Sequence, residues 1–403
     1  MKILYHHRVG SKDGQAVHID EIVAALREGG HDVCVVGPAS TQKAEFGSDA
    51  AGAISTMKRL LPASLYELLE LGYGGLAFLR LWRAYRRERP DALYERYNLY
   101  LLAGVWLKRL TGLPMLLEVN APLVHERSRF AGLANRRLAG WVERTTWRAA
   151  DMVLPVTNVL AQFVREAGVP AERITVIQNG VGKDFLAESD GGARIRQRYE
   201  LQGALVLGFT GFVREWHGLE RVIDLIAASD PALNLHFLIV GDGPAIPELR
   251  RVASAHGLDR RIIFAGLVPR EEIVDYVAAF DVALQPQVVA YASPLKLFEY
   301  MALGRAIVAP ATANIREVLD EREALLFDPE DSAAFRRAIE TVCADPALRD
   351  RLGKAARAAL ERQGLTWANN ARRIVSLFDR FLTERGPARR KVKQHPVVQR
   401  SEP

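Results

Sequence analysis

The segment that decides the fold lies at residues 282–304 and reads VALQPQVVAYASPLKLFEYMALG. Its apolar start, Val282 to Leu284, predicts a buried strand, and the residues that follow predict a loop. Ser293 and Pro294 then predict the start of a helix, because serine is a good N-cap and proline a good first helical residue. A strand that leads through a loop into a helix is the repeating unit of a parallel α/β sheet.

The same unit recurs on both sides of this segment. Predicted helices, such as residues 17–27, 219–228 and 273–279, separate short apolar runs. The predicted strands lie at residues 3–5, 33–36, 92–94, 115–117, 152–154, 174–176, 204–208, 235–240, 262–264, 282–284 and 307–308. A polar, glycine-rich stretch at residues 188–192 predicts a linker. Because 403 residues exceed one ordinary domain, we expect two doubly wound α/β domains, at residues 1–187 and 188–365.

Positive charge is concentrated at the C-terminal end of the chain. Of the formal net charge of +6, four charges belong to residues 386–403, which are nearly free of apolar side chains. This composition predicts a disordered basic tail, with a weak contact to anionic lipid or polymer as the alternative. The small charge left on the body argues against a nucleic-acid-binding protein.

Cysteine usage and hydropathy predict a cytoplasmic protein. Cys34 and Cys343 lie far apart and have the spacing of neither a metal site nor a redox pair. No apolar run approaches the ~20 residues of a membrane-spanning helix. The first residues turn polar too early for a signal peptide, so we expect contact with a membrane to be peripheral at most.

Two strand-to-helix loops carry the glycines and cations that suit a phosphate. The first loop, residues 8–14, ends at Gly14, and its backbone N–H groups can approach an anion. In the second half, residues 209–218 place Arg214 and His217 beside two glycines, where charge-assisted hydrogen bonds to a diphosphate are expected. The alternatives are a plain connecting turn for the first loop and, for the second, a solvated Arg214 with His217 capping the helix.

Residues 293–299 combine a phosphate site with a carboxylate. The N–H groups of Leu295 and Lys296 begin the predicted helix, and the Lys296 charge adds to the attraction for phosphate. Glu299 follows three residues later on the same face. A carboxylate beside a phosphate site suits the vicinal hydroxyls of a ribose. The alternative is a capped surface helix with a Lys296–Glu299 ion pair.

Four motifs follow one another in the C-terminal half. They are Gly211 with Trp216-His-Gly218, residues 240–244 (VGDGP), residues 264–266 (FAG) and residues 293–302 (SPLKLFEYMA). In this order they resemble glycosyltransferase family 4. The resemblance implies retaining enzymes of the GT-B fold, in which two Rossmann-like domains face a cleft. It also implies that residues 178–181 (QNGV) precede the interdomain linker, and that a helix at residues 366–385 crosses back onto the N-terminal domain.

The resemblance implies roles for individual residues. Glu299 is expected to hold the donor ribose. The nucleotide site is expected to comprise Gly14, Gly266, Leu267, Ser293, Pro294, Leu295 and Glu299, and the catalytic residues to be Arg214, Lys296, His217 and Asn120. Three positions depart from the family pattern. Ala292 replaces the glutamate that usually contacts the donor sugar, Phe212 replaces the arginine and His217 the lysine that usually bind the diphosphate, so Arg214 and Lys296 are expected to supply the charge.

The chemistry that the resemblance implies needs no cofactor. Family members use the leaving diphosphate to deprotonate the acceptor hydroxyl, and the protein stabilises the charge that develops on the phosphate. No Asp-x-Asp metal motif is present, so we expect no metal and a UDP-, GDP- or similar nucleotide sugar as donor.

The N-terminal half is expected to bind a glycan or lipid-linked acceptor, in the synthesis of a cell-surface polysaccharide or glycolipid. Candidate contacts at strand ends are Arg96, Glu118, Asn120 and His125, with a buried, satisfied side chain as the alternative for each. A helix at residues 135–150 is expected to face the core with Leu138, Val142, Thr145 and Ala149, and an anionic membrane with Arg137, Trp141, Arg144 and Arg148. A second basic row comprises Arg80, Arg83 and Arg87, near Trp82. The alternative is a solvated helix face.

Two other functions are compatible with these motifs. A GT-B sugar-nucleotide epimerase would need no acceptor, and a binding protein could have kept the fold after losing its chemistry, which Ala292 and His217 favour. A nicotinamide dehydrogenase is disfavoured, because neither half carries the G-x-G-x-x-G fingerprint.

Overall fold

The computed structural model describes residues 1–10, 14–38, 61–130, 132–187 and 190–384 and contains two parallel β-sheets. The first sheet has the strand order β2-β1-β3-β4-β5. Its strands are β1 (Lys2–His6), β2 (Asp32–Val36), β3 (Ala92–Arg96), β4 (Met115–Val119) and β5 (Met152–Pro155). Both faces of this sheet are covered, as continuous apolar strands require. The helices are α1 (Gly14–Glu28), α2 (Ala63–Glu88), α3 (Ala103–Thr111), α4 (Leu123–Phe130), α5 (Arg136–Ala149) and α6 (Asn158–Glu166).

The second sheet has the order β11-β10-β9-β6-β7-β8, and all of its pairs are parallel. Its strands are β6 (Leu205–Thr210), β7 (Leu235–Val240), β8 (Ile262–Gly266), β9 (Val282–Leu284), β10 (Ala306–Pro310) and β11 (Leu325–Phe327). The helices that accompany it are α7 (Gly191–Arg198), α8 (Glu220–Ala227), α9 (Ile246–Ala255), α10 (Ile273–Ala278), α11 (Leu295–Ala302), α12 (Ala334–Ala344) and α13 (Pro346–Gln363). The predicted architecture of two doubly wound α/β units is therefore confirmed.

The last helix, α14 (Trp367–Glu384), leaves the second sheet and packs on the first. Trp367 and Phe378 are buried in the same apolar cluster as the strand β1 and the helix α1. Where the chain crosses, Val181 N–H donates to the Leu365 carbonyl at 3.1 Å. A Cβ on Gly180 would lie 2.6 Å from the Thr366 carbonyl carbon, so only glycine fits there. The asparagine–glycine–valine motif thus allows two segments of backbone to pass in contact.

Three local expectations were wrong. Residues 174–176 form no strand, since only Ile174 makes an isolated bridge, to Val153. The strand β11 was missed, since none of its three residues is β-branched and leucine favours a helix as readily as a strand. Part of the predicted linker is helical: α7 begins at Gly191, and a Cβ on Gly192 would lie 2.7 Å from the Ala278 backbone. These glycines therefore allow α7 to pack closely on α10. The bounds of the two domains stay predictions, and the tail at residues 386–403 lies outside the described residues.

The helix α5 buries a face one residue away from the predicted one. Its buried residues are Ala139, Gly140, Val142, Thr146 and Trp147, so of the expected core positions only Val142 is fully buried. The expected outer face is exposed at Arg137, Trp141, Arg144 and Arg148. The large Trp147 ring decides the rotation of the helix, because it fills the core against Tyr97. Among the described helices, none is long and apolar enough to cross a membrane.

Candidate donor and acceptor sites

The first candidate site lies where the strand β6 ends and the helix α11 begins. Gly211 directly follows β6 and has a φ of +128°, a conformation that side chains other than glycine rarely adopt. A Cβ at Gly211 would lie 3.2 Å from the Lys296 Nζ atom. The fold therefore brings the lysine of the SPLKLFE motif onto the first glycine of the other motif, as the sequence interpretation required.

Lys296 is a cation in an apolar setting. Its Nζ atom lies 4.0 Å from the centroid of the Phe209 ring, and no carboxylate of the described residues is within salt-bridge distance. Burial lowers the pKa of Lys296 to about 7, against the opposing attraction of Glu299. An anion at this position would restore the full charge of the lysine, because an opposite charge favours the protonated form.

His217 belongs to the same cluster but is not a cation. Its ring packs on Phe209 at 5.0 Å between centroids, and its Nδ1 atom accepts a hydrogen bond from the Arg214 N–H at 3.1 Å. Burial and the Lys296 charge lower the pKa of His217 to about 2. The alternative of a capping histidine is therefore correct for Nδ1. Because Nδ1 accepts, the neutral ring carries its proton on Nε2, and that N–H can donate to a phosphate oxygen.

Arg214 remains available for a ligand. Its side chain is exposed, and its guanidinium lies over the Phe212 ring at 4.8 Å. In the described part of the chain it forms no salt bridge, unlike most of the arginines of this half. Phe212, which stands where the resemblance expects an arginine, thus serves as the surface on which Arg214 rests. The catalytic role of Arg214, Lys296 and His217 stays a prediction.

Glu299 is buried, and its partner is a cation that no motif indicated. Its Oε1 atom accepts from Arg270 Nη1 at 2.6 Å, so the alternative of a Lys296–Glu299 ion pair on a surface helix is wrong. Arg270 also donates to Glu21 of the helix α1 at 3.2 Å. This bridge joins the two halves of the molecule across the cleft. Sequence reasoning missed Arg270 and Glu21, because neither lies in a motif and Glu21 is 249 residues away from Arg270.

The start of α11 differs in detail from the prediction. The helix begins at Leu295 with Pro294 as N-cap, and no side chain caps it. The Ser293 hydroxyl instead accepts from the Asn179 N–H at 3.3 Å, and the Ser293 carbonyl accepts from Asn179 Nδ2 at 2.6 Å. Ser293 therefore fixes the start of the helix α11, called the donor helix below, to the segment at residues 178–181. The predicted cap is wrong because Pro294 takes the N-cap position and Asn179 engages the Ser293 hydroxyl.

Gly14 and Leu295 lie together, as a site between two domains requires. A Cβ on Gly14 would be 3.9 Å from the Leu295 Cδ1 atom, and Leu295 packs against the apolar cluster of the first sheet. Gly266 ends the strand β8 and Leu267 follows it, at the carboxyl edge of the second sheet. Gly266 has a φ of +73° and accepts from the Gly241 N–H at 2.8 Å, and the Leu267 side chain is exposed. An exposed apolar side chain at this edge can cover a nucleobase.

The acceptor-side candidates converge on Glu118, at the end of the strand β4. Its Oε1 atom accepts from Arg96 and Asn120 at 2.5 Å each, and its Oε2 atom from Tyr94 at 2.7 Å and His18 at 2.9 Å. Burial would raise the pKa of Glu118, but the His18 and Arg96 charges and the hydrogen bonds hold it well below its usual range. For Arg96 and Glu118 the alternative of buried, satisfied side chains is therefore correct. Asn120 is partly exposed beside them, and its catalytic role stays a prediction.

His125 and Ala292 lie apart from this network. His125 is exposed on α4, and its ring packs on Phe163 at 5.4 Å between centroids. Ala292 offers its carbonyl to Asn314 Nδ2 at 2.7 Å. The backbone of Ala292 thus holds the loop before α11, while its methyl group supplies no contact to sugar hydroxyls.

Comparison with known proteins decides the family. Residues 13–180 match the family model of the Glycosyl transferase 4-like domain, and residues 204–345 match that of the Glycosyl transferases group 1. The first match covers the half of the chain that forms the first sheet, and the second match covers the half that forms the second sheet. The chain belongs to the GT-B glycosyltransferases.

Curated relatives of this glycosyltransferase are distant. It is 25% identical over 257 residues to the alpha-D-kanosaminyltransferase of Streptomyces kanamyceticus, which is 62% of this chain and 66% of that protein. The chain thus spans just under two thirds of that relative. It is also 25% identical over 390 residues to the D-inositol 3-phosphate glycosyltransferase of Arthrobacter sp. (strain FB24), 90% of this chain and 89% of that protein.

A solved structure shows the same fold for the glycosyltransferase. HepE of Anabaena, crystallised with UDP, superposes with a TM-score of 0.71 at 19% identity and covers 94% of this chain and 100% of its own. The expectation of a GT-B fold is therefore confirmed. At such identity the likeness concerns the fold, and the residues that bind the donor must be argued from this chain.

Proposed function

We propose that the protein transfers a sugar, with retention of anomeric configuration, from a nucleoside-diphosphate sugar to a hydroxyl of a glycan, polyol or lipid-linked acceptor. The observation that carries the proposal is the cluster at the end of β6. Lys296 and His217 contact the same Phe209 ring. The backbone N–H of the exposed Arg214 donates a hydrogen bond to His217. Three donors without a neutralising carboxylate suit a diphosphate.

The proposed reaction needs no group beyond the two substrates. The acceptor oxygen bonds to the anomeric carbon while the bond from that carbon to the diphosphate oxygen breaks. The hydroxyl proton passes to the leaving diphosphate, which departs with the electron pair on the same face. Lys296, Arg214 and the His217 Nε2–H would stabilise the charge that develops on the diphosphate. Glu299, whose Oε2 atom accepts no hydrogen bond from the described residues, would bind the ribose.

Comparisons support a nucleotide-sugar donor and leave a choice of acceptors. HepE was crystallised with UDP, and relatives are named for transfer to 2-deoxystreptamine or to D-inositol 3-phosphate. The acceptors in these names differ in charge, and the charge that an acceptor site prefers can be inferred from its side chains. Participation in polysaccharide or glycolipid synthesis is part of the proposal and rests on analogy.

A binding screen followed by a transfer assay tests the proposal. UDP, GDP and ADP sugars are screened by thermal shift, because a ligand at a hundredfold excess over its Kd adds about 2.7 kcal/mol of stability. We expect one base to stabilise the protein. We also expect Lys296→Met to reduce that shift, because weaker binding remains through Arg214 and His217, while Lys354→Met, on an exposed i,i+4 pair, keeps it in full. NMR of the product reports the anomeric configuration.

The outcomes of this assay separate the alternatives. Donor turnover without acceptor, giving an isomerised nucleotide sugar, would indicate an epimerase. Donor binding without transfer or hydrolysis would indicate a binding protein, which Ala292 favours. An equal shift in Lys296→Met and Lys354→Met would contradict the proposed diphosphate site.

Peripheral contact with an anionic membrane is the further part of the proposal. Trp141 is 53% exposed on α5 between exposed arginines, and the helix α2 exposes a row of leucines. These are Leu65, Leu68, Leu69, Leu76 and Leu79. Apolar and basic side chains on one surface are typical of helices that lie on anionic headgroups. We expect flotation with phosphatidylglycerol vesicles at low salt, reduced by Trp141→Gln; protein that stays soluble with these vesicles would contradict this part.

A further inference from the structure

A second pocket lies in the first sheet, away from the residues that would hold the donor. It opens to solvent at the carboxyl ends of the strands β1, β2 and β3, beside the helix α2. From β1 the chain continues to β2 on one side, and from β3 it continues to β4 on the other side. The sheet order β2-β1-β3 therefore makes this edge a topological switch point. Ligands of open α/β sheets bind at such points.

The side chains around this pocket present hydrogen-bond donors and positive charge. Arg8 follows β1, and its guanidinium lies 4.9 Å from the centroid of the Tyr73 ring. Arg80 donates to the Tyr73 hydroxyl at 3.2 Å and forms no salt bridge within the described residues. Two guanidinium groups therefore contact one tyrosine of α2, Arg8 over its ring and Arg80 at its hydroxyl.

The nearest carboxylates neutralise these arginines only in part. Arg8 lies 3.5 Å from Glu70, but both oxygens of Glu70 already accept from Arg127, at 2.6 and 3.1 Å. The other nearby carboxylate, Glu95, is bonded to His6 at 2.5 Å. One Glu70 charge shared by two arginines, together with the unpaired Arg80, leaves the pocket with an excess of positive charge.

His7 adds a neutral donor to the pocket. It is buried, and its Nδ1 atom accepts from the Val9 N–H at 3.2 Å, so the ring proton lies on Nε2. Burial and the charges of His6 and Arg96 lower the pKa of His7 to about 4, which keeps the ring neutral. A Cβ at Gly37 would lie 2.4 Å from Nε2, so the His7 ring packs directly on the glycine that follows β2.

We propose that this pocket binds an anionic group, a carboxylate or a phosphate, on the acceptor, with Arg8 and Arg80 as its ligands. Guanidinium groups match the oxygens of both anions, and an amine-bearing acceptor would be repelled. The inference rests on the proposed transfer function, of which it specifies the acceptor.

The first loop connects this pocket with the donor side. Its beginning, His7 and Arg8, lines the pocket, and its far end, Gly14, lies against Leu295 of the donor helix. We therefore expect an acceptor anchored at Arg8 to extend toward Gly14 and Leu295. Arg8 and Arg80 thus act in specificity and positioning, and neither needs to touch the reacting atoms.

Three monosaccharides of nearly equal size test the charge preference. Glucuronate, glucose and glucosamine are titrated by NMR into the full chain saturated with UDP, which keeps anions out of the donor site. Glucose 6-phosphate is added as the phosphate counterpart of glucuronate. We expect an anionic sugar to bind at least about tenfold more tightly than glucose, as charge-assisted hydrogen bonds suggest, and glucosamine to bind most weakly.

Variants test whether the preference for anionic sugars arises in this pocket. Arg80→Met is exposed and should fold, and it is expected to lose most of the preference, as is Arg8→Met; Arg8→Lys should keep part of it. Arg109→Met, an exposed arginine of α3 outside the pocket, should keep all of it. Equal affinities for glucose and both anionic sugars, no binding of either anion, or a preference unchanged in Arg80→Met and Arg8→Met would overturn the inference. Because UDP binding is measured in the same samples, its loss would instead count against the proposed function.

Discussion

Glu118 and Glu299 are two buried carboxylates, one beside each sheet, and they differ in how many hydrogen bonds they accept. Glu118 accepts four, from two basic residues, a tyrosine and an asparagine, so each oxygen uses both of its lone pairs. Glu299 accepts one from a side chain, Arg270, and its second oxygen takes none from the described residues. A saturated carboxylate organises structure, whereas an unsaturated one is available for a ligand.

The arginines that pair with these two carboxylates differ in how far they are buried and in how many partners they have. The side chain of Arg96 is 6% exposed, whereas that of Arg270 is 36% exposed and is shared between Glu299 and Glu21. A partly exposed, shared ion pair is weak and can exchange for a ligand, while a buried and fully bonded pair cannot be broken without a large loss. Burial alone therefore does not separate the structural from the functional glutamate; the number of donors does.

The largest effect is expected from Glu118→Gln. The change leaves Arg96 buried without its counter-charge and turns one acceptor into a donor that faces other donors. We expect the free energy of unfolding in urea to fall by about 3–5 kcal/mol. The matched control is Asp350→Asn, which breaks an exposed ion pair with Lys354 and should change little. A loss for Glu118→Gln no larger than that of the control would remove the distinction between the two carboxylates.

The stability at acid pH is a second measurement that tests the structural role of Glu118. The pKa of Glu118 is depressed in the folded protein, so its contribution is present above the unfolded value of about 4.3 and is lost as the pH falls below it. We expect the wild type to lose stability on acidification more steeply than Glu118→Gln. Urea melts across the acid range measure the slope, and parallel curves would be inconsistent with a depressed pKa.

Glu299→Gln should act on binding and leave the fold nearly unchanged. Loss of a charged acceptor for ribose hydroxyls is expected to weaken UDP binding by roughly ten- to a hundredfold, the usual value of 1.5–3 kcal/mol for such bonds. Calorimetric titration with UDP measures it, and a urea melt serves as the control. If Glu299→Gln unfolds like Glu118→Gln and binds UDP like the wild type, the roles have been assigned in reverse.

A smaller, pH-dependent effect is expected from Lys296. Burial lowers its pKa to about 7, and a bound diphosphate would raise it again. Below pH 7 the free protein already carries the charge, so affinity is constant. Above pH 7 binding requires uptake of a proton, and affinity should fall by up to about tenfold per pH unit. The nucleotide sugar that the screen selects is the ligand, since its diphosphate does not titrate in this range. Lys296→Met should give a flat profile, and a flat wild-type profile would contradict the depressed pKa.

The smallest effect is expected from Glu21→Gln. This change removes the contact between Arg270 and the helix α1 but leaves Arg270 on Glu299. Because the pair is partly exposed, we expect less than about 1 kcal/mol of lost stability and a change in UDP affinity of only a fewfold. A large loss of UDP binding would show that the bridge across the cleft, rather than Glu299 alone, prepares the donor site.

Much of the candidate donor site could be predicted, because its parts are local in sequence. Residues 293–299 contain the helix start, the lysine and the glutamate, and residues 209–218 contain the glycines and the arginine. Two contacts were not predicted: Arg270 pairs with Glu299, and Asn179 takes the Ser293 hydroxyl, so the predicted serine cap does not form. The pocket of Arg8 and Arg80 was not predicted as a unit, since α2 contributes Tyr73 and Arg80 from a distant part of the chain.

The sequence by itself determined the alternation of strands and helices, and with it two parallel sheets, because apolar periodicity and helix-start signals act over a few residues. It also determined which residue types lie at the strand ends. Only the tertiary structure decided that Glu118 receives four donors and Glu299 one, and that Gly180 must let the last segment cross. Such choices depend on which side chains meet across the cleft, and contacts between residues far apart in the chain leave no periodic pattern in it.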